Sequence, residues 1–322
     1  MKPFVLLPVT TIADAARETA KPGSLLKAGG VDVLDRMKEG LDSPERLVSI
    51  SRVPGLDRIE AGPPARIGAL ATLSRIESHP VLRRWYPALV DAAGGAATPQ
   101  IRNMATLGGN IAQRPRCWYF RQAEFDCRKK GGDTCFAMEG ENRFHAIFDT
   151  DVCCCVHPSA TSVALVAYGA RLETVSPGGK RTISLDEFFV TPKEDPRREN
   201  ALGPGEVIES VVIPQPAPGA RSAYLKLKEK ESFDWPLVEA CVAVTLDGGS
   251  IRDARVVLGS VSPVPRRAVA AEKVLTGARP SPELFSRAAA AAVEGATPLG
   301  QNAHKVRLAR VLVERALRAA LA

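Results

Sequence analysis

The sequence predicts an α+β protein of two or three domains, and three observations carry that expectation. At 322 residues the chain is too long for one ordinary core. Its strand-like and helical stretches fall in separate blocks, and no internal repeat joins them. The run Pro214, Pro216, Pro218 and Gly219 interrupts the apolar pattern and reads as a boundary.

The elements follow in order. Residues 1–52 alternate apolar strand-like pieces with the helical piece "TIADAARETA" and contain a glycine turn in "LLKAGGVDVL". A second unit, residues 53–216, opens with a short strand at Arg66 to Gly68. Helical spacing of Leu73, Ile76, Val81 and Leu89 comes next. The stretches "ALVAYGARLETVS" and "KRTISLDEFF" read as a strand pair joined by the turn Pro177 to Gly179. A final unit, residues 220–322, begins with strands in "SAYLKLKE" and "LVEACVAVTLDGGSIRDARVVLGSVS", the latter turning at Asp247-Gly248-Gly249. Two helices close it: "SPELFSRAAAAAVEGA", announced by Ser281 and Pro282, and "AHKVRLARVLVERALRAALA".

Composition narrows the class. The chain is 45% apolar and 25% charged, as soluble globular proteins are. No apolar run approaches the roughly 18–20 residues of a membrane span. "MKPFVLLPVTTIADAARE" does not read as a signal peptide, so a cytoplasmic, reducing setting is expected. The net charge of +7 is scattered among acids, as in "PKEDPRREN". With 5% aromatic residues and no stacking motif, nucleic acid is not an expected partner.

Two glycine turns and one cysteine-rich stretch carry the chemistry. Consecutive glycines in Ala28-Gly29-Gly30-Val31-Asp32-Val33-Leu34 let main-chain N–H groups approach an anion such as a pyrophosphate. In "ATPQIRNMATLGGNIA", Gly108 and Gly109 do the same, and Thr106 and Asn110 add side-chain hydrogen bonds. Six of the seven cysteines crowd residues 117–155. The separations Cys117-x9-Cys127-x7-Cys135-x17-Cys153 do not match paired C-x2-C zinc knuckles; they suit a loop folded around a metal cluster. Zinc, or a set of reduced metal-free thiols, stands as the alternative. Cys241, in an alternating strand, reads as a core residue.

"AGGVDVLDRMKEG", "RIGALATLSRIESHP", "TPQIRNMATLGGNIA" and the C-terminal "QNAHKVRLARVLVERAL", in this order, resemble the flavin-binding subunits of the molybdenum hydroxylase family. The resemblance spans essentially the whole chain. It implies a two-part FAD-binding domain of the vanillyl-alcohol-oxidase type followed by a smaller α+β domain. Carried over position by position, it implies FAD contacts from Ala28, Gly29, Gly30, Val31, Asp32, Val33 and Leu34. It implies others from Thr98, Ile101, Thr106, Gly108, Gly109, Asn110, Ile111 and Lys226. Two positions depart from the family: Val31 replaces a hydroxyl-bearing residue, and Ala160, in "HPSA", replaces an aspartate.

Residues 113–156 are an insertion that resembles the family's subset with an extra 4Fe-4S cluster, found in aldehyde oxidoreductases and 4-hydroxybenzoyl-CoA reductases. By that similarity the ligands are Cys117, Cys127, Cys135 and one of the triplet Cys153, Cys154 and Cys155, with Cys153 favoured by alignment to His157-Pro158-Ser159 and the other two then packing. Arg114, Arg116, Arg128, Lys129 and Lys130 would offset thiolate charge. The implied partners are a large molybdopterin subunit, a small 2Fe-2S subunit and an external carrier such as ferredoxin. The implied role is electron transfer in aldehyde or heterocycle oxidation, with electrons leaving through FAD. Inward flow, as in a hydroxybenzoyl-CoA reductase, and a non-catalytic subunit stapled by metal are the competing readings.

Overall fold

In the computed structural model, which describes residues 1–230 and 232–321, three sheets follow one another along the chain. Residues 231 and 322, both within the expected final unit, lie outside the described residues. Strands β1 (Val5–Pro8), β2 (Ser24–Lys27) and β3 (Arg46–Ser49) form a parallel sheet in the order β1-β3-β2. The helices Ile12–Thr19 and Val33–Lys38 make the crossovers that parallel strands require. Thr11 starts the first by accepting the Asp14 N–H at 3.0 Å. Ala15 and Ala16 turn its apolar side onto Val48.

The second sheet is antiparallel, ordered β4-β5-β8-β6-β7. It comprises β4 (Ile59–Glu60), β5 (Ala65–Gly68), β6 (Arg171–Ser176), β7 (Gly179–Ser184) and β8 (Val207–Ile213). The expected strand through "ALVAYGARLETVS" is half helix: Ala160–Ala167 is α-helical, and extended structure begins at Arg171. All eight helical residues are buried, so no polar face gave a helical period. Its ends were nonetheless marked. Ser159 accepts the Ser162 N–H at 3.1 Å, and Gly169 at φ +64° closes a Schellman cap in which the Ala170 N–H reaches Leu165 O at 3.0 Å. Likewise "KRTISLDEFF" leaves the sheet at Ser184, which caps a short helix, Leu185–Phe188.

Strands β9 (Ala220–Leu227), β10 (Val238–Asp247), β11 (Ser250–Gly259) and β12 (Arg266–Arg267) form the third sheet, antiparallel throughout. The β10–β11 turn holds Gly248 and Gly249 at φ +56° and +82°, the two positive angles a tight hairpin needs. Helices Pro282–Ala291 and His304–Leu321 pack on this sheet with a third, Val269–Leu275, which the sequence reading did not anticipate. Tyr224, Cys241 and Val257 on the sheet's other face join the core of the second unit. No helix among the described residues is long and apolar enough to cross a membrane.

Residues 113–156 carry little regular structure, yet three neighbours fix them. Arg121 reaches Asp32, Asp35 and Glu39 of the first unit at 2.8–3.3 Å. Arg114 and Lys129 meet on Glu199 of the second at 2.9–3.1 Å. Ile147 and Phe148 enter the core of the third, and Lys305 donates to the Phe144 and His145 carbonyls at 3.1 and 2.9 Å.

Candidate cofactor site

The three units enclose a cavity of about 800 Å³. Both glycine turns line it: Ala28, Gly29, Gly30, Val31, Asp32 and Val33 from the first, Thr106, Gly108, Gly109 and Asn110 from the second. Thr98, Ile101 and Lys226 complete the expected wall, and Ala160, where the family has an aspartate, also lies on it. Leu34 and Ile111 are not on it. Leu34 packs beside Val33, Met37 and Leu47, and Ile111 is fully buried in the main core, because a helical side chain one step past the turn points inward.

Close packing explains the glycines. A Cβ on Gly29 would lie 1.9 Å from the Met104 carbonyl oxygen, so the first turn rests directly on the approach to the second. Gly108 presses on Ala69, whose Cβ would be 2.9 Å from an added carbon. The two turns nonetheless differ as donors. In the second, Leu107, Gly108 and Asn110 N–H groups already bond to Ala71, Ala69 and Thr106 carbonyls at 2.8–2.9 Å, and Gly109 N–H meets the Thr106 hydroxyl at 3.3 Å. In the first, the Gly29, Gly30, Val31 and Asp32 N–H groups bond to no partner among the described residues. Unpartnered main-chain donors are therefore confined to the first turn, while those of the second are satisfied within the fold. Asn110 is also partly committed, its Oδ1 accepting from Ser159 and Thr161 hydroxyls at 2.7 and 2.6 Å.

Asp32 does not face the cavity as a free carboxylate. Arg36, Arg116 and Arg121 all pair with it, and the Arg114 N–H adds a fourth contact at 3.2 Å. Three of these partners, Arg114, Arg116 and Arg121, are drawn from the insertion, contacts invisible to local sequence reading.

At the far end Lys226 donates to Gly95 O at 2.8 Å, and burial lowers its pKa. Directly across the strands from it stands Glu239, fully buried and on the cavity wall. Burial raises the Glu239 pKa; Tyr224 Oη–H and Ser260 Oγ–H donate to its carboxyl, the latter at 2.8 Å. Sequence reading missed Glu239, although a lone carboxylate in the apolar run "LVEACVAV" was a signal. Phe233 and Trp235, both more than half exposed, also border the cavity.

A second, small space of about 20 Å³ is lined by Cys117, Cys127, Cys135, Cys153 and Cys155. The structure therefore gathers Cys117, Cys127 and Cys135 with both Cys153, the favoured fourth ligand, and its alternative Cys155. Cys154 is not on this wall; its Sγ donates to Thr150 O at 3.3 Å. Burial pushes the Cys117 thiol up to about 12, against nearby Phe120 and Tyr119 N–H groups. Cys135 moves the other way, held down by the Cys153 and Cys154 thiols. Of the five flanking cations, Arg128 and Lys129 line the space. Arg114 serves Glu199, Arg116 faces the larger cavity, and Lys130 donates to Gln122 O. His145 Nε2 lies 3.2 Å from Cys117 Sγ, and burial lowers its pKa to about 4. Among the described residues no group of three or more His, Cys, Asp or Glu side chains is arranged to hold a single metal ion.

Residues 3–216 match the FAD binding domain in molybdopterin dehydrogenase, and residues 222–320 match the CO dehydrogenase flavoprotein C-terminal domain. The chain is 37% identical to the aldehyde oxidoreductase FAD-binding subunit PaoB of Escherichia coli, over 86% of this chain and 87% of that one. It is 30% identical to the carbon monoxide dehydrogenase medium chain of Hydrogenophaga pseudoflava, over 92% and 89% of the two chains. A solved carbon monoxide dehydrogenase from the same organism superposes with a TM-score of 0.78 at 28% identity, covering 99% and 98%.

Proposed function

We propose, for a chain that belongs to the FAD-binding subunits of the molybdopterin dehydrogenases, the role of an electron-transfer subunit carrying both FAD and a 4Fe-4S cluster. Its place is in a heteromeric enzyme whose large subunit holds molybdopterin and whose small subunit holds 2Fe-2S centres. The observation that carries the reading is the pairing of two sites in one chain: a large cavity edged by free main-chain donors, and a buried five-cysteine pocket beside it. FAD, when bound, supplies exchange between two-electron and one-electron chemistry.

The residues of this chain fit both groups. The first glycine turn offers unused N–H donors to a diphosphate, and Gly29 and Gly108 keep the two turns close. Lys226 and Glu239 form the opposite wall, where a cation and a hydrogen-bonded carboxyl can orient a polar ring edge. In the second site the donors are all thiols, the usual ligands of iron-sulfur clusters, and the buried Lys129 stands close enough to Cys153 and Cys155 to favour their thiolates. Cys117, Cys127, Cys135 and Cys153 are the proposed ligands. A cytoplasmic setting suits such thiolates.

We take the reaction to be aldehyde or heterocycle oxidation with an external acceptor such as a ferredoxin. The higher identity to the aldehyde oxidoreductase subunit than to the carbon monoxide dehydrogenase chain supports that direction. Anaerobic purification followed by iron, zinc, molybdenum and flavin analysis tests the assignment. About four irons and one FAD per chain are expected; zinc without flavin would overturn it.

A further inference from the structure

The cavity wall carries four cations, Arg36, Arg116, Arg121 and Lys226. Two are spent. Arg36 is divided between Asp32 and Asp42, and Arg121 gives Nε to Pro115 O, Nη1 to Asp35 and Glu39, and Nη2 to Asp32 and Arg114 O. Lys226 is tied to Gly95 O at 2.8 Å. Arg116 differs: its Nη1 meets Asp32, its Nη2 meets Gln113 Oε1 at 3.1 Å, and its buried Nε has no partner. A guanidinium has five N–H donors, so Arg116 keeps several in reserve.

Its position gives that reserve a use. Arg116 comes from the cysteine insertion, yet it is anchored on Asp32 of the first glycine turn, whose N–H groups are also unused. Trp235 covers its outer face, with the guanidinium carbon 5.3 Å from the ring centre. The same turn carries Val31, which cannot hydrogen-bond a phosphate through its side chain.

We propose that Arg116 is a cofactor-binding residue: it contacts the diphosphate of the flavin nucleotide at the first glycine turn and takes the place of the hydroxyl that Val31 lacks. Asp32 acts as its positioning residue, holding the guanidinium beside the turn. The insertion thereby completes the flavin site as well as gathering the cysteines. The proposal rests on the FAD assignment above.

The test uses the full chain in its native complex, stripped of flavin, and titrates FAD and riboflavin separately by flavin fluorescence. Charge-assisted contacts of this kind predict a roughly tenfold to hundredfold loss of FAD affinity in Arg116→Ala. Riboflavin, which has no phosphate, should bind the variant as it binds the parent protein. Arg116→Lys should recover part of the loss, and iron content should not change. Should Arg116→Ala fail to fold, Arg116→Gln carries the same comparison. Unchanged FAD affinity, or equal weakening of FAD and riboflavin, would overturn the proposal. Failure of the parent protein to take up FAD would instead overturn the cofactor assignment on which it rests.

Discussion

Lys305→Met isolates the clamp that holds the cysteine segment to the third unit. Lys305 has no exposed surface, and its ammonium is surrounded by the Phe144, His145 and Ser260 carbonyls at 3.1, 2.9 and 2.6 Å. Burial lowers its pKa from 10.5 to about 7, opposed by the more distant Glu239 charge. At ~1.4 kcal/mol per pH unit, keeping it charged in the folded state costs about 5 kcal/mol. Methionine removes that cost but strips a donor from three buried carbonyls, worth about 1–3 kcal/mol each. Near pH 7 the two effects are similar in size, so the variant should differ from the parent by no more than about 4 kcal/mol in either direction.

The pH dependence separates them. Between the folded and unfolded pKa values the unfolded chain holds a proton that folded Lys305 has released, so stability rises with pH across that window and is lowest below pH 7. From pH 7 to 9 the parent should gain about 2 kcal/mol relative to Lys305→Met, which lacks the group. Urea midpoints of both proteins at the two pH values measure this. Parallel profiles would refute the claim that burial lowers the Lys305 pKa into this window.

Two further substitutions probe the sites themselves. Glu199→Gln leaves Lys129 and Arg114 without their shared carboxylate in a largely buried position, and a loss of about 3–5 kcal/mol in unfolding free energy is expected. An unchanged urea midpoint would show that the pair does not brace the insertion. Gly29→Ala drives a Cβ into the Met104 carbonyl, and the turn must open to admit it. FAD affinity should fall roughly tenfold or more, read from flavin retained after gel filtration, and stoichiometric flavin would contradict the assigned contact.

Local patterns made much of this fold legible. Capping serines and threonines, the Asp247-Gly248-Gly249 turn and the alternation of β9 and β10 each act over a few residues, and their elements formed where expected. The helix Ala160–Ala167 escaped because uniform burial erases periodicity, leaving only its caps as evidence. The glycine turns were visible as motifs, but their division of labour was not. Whether an N–H is free depends on carbonyls such as Ala69 and Ala71, far away in sequence. The same limit hid where Arg116, expected to offset thiolate charge, would go, and hid Glu239 altogether: the first pairs with Asp32 across units, and the second stands opposite Lys226 across strands. Cysteine spacing announced a clustered site but not how the triplet faces it: Cys153 and Cys155 line the small space, and Cys154 donates to Thr150 O while its thiol also meets Cys135.

The central claim is that FAD and an iron-sulfur cluster reside in this one chain. Low-temperature electron paramagnetic resonance of the dithionite-reduced full chain, purified anaerobically and compared with Cys135→Ser, tests it most directly. The parent should show the signal of a reduced 4Fe-4S centre, and Cys135→Ser should lose it with FAD content unchanged. A flavin-containing parent with no such signal, or a signal untouched by the substitution, would contradict it.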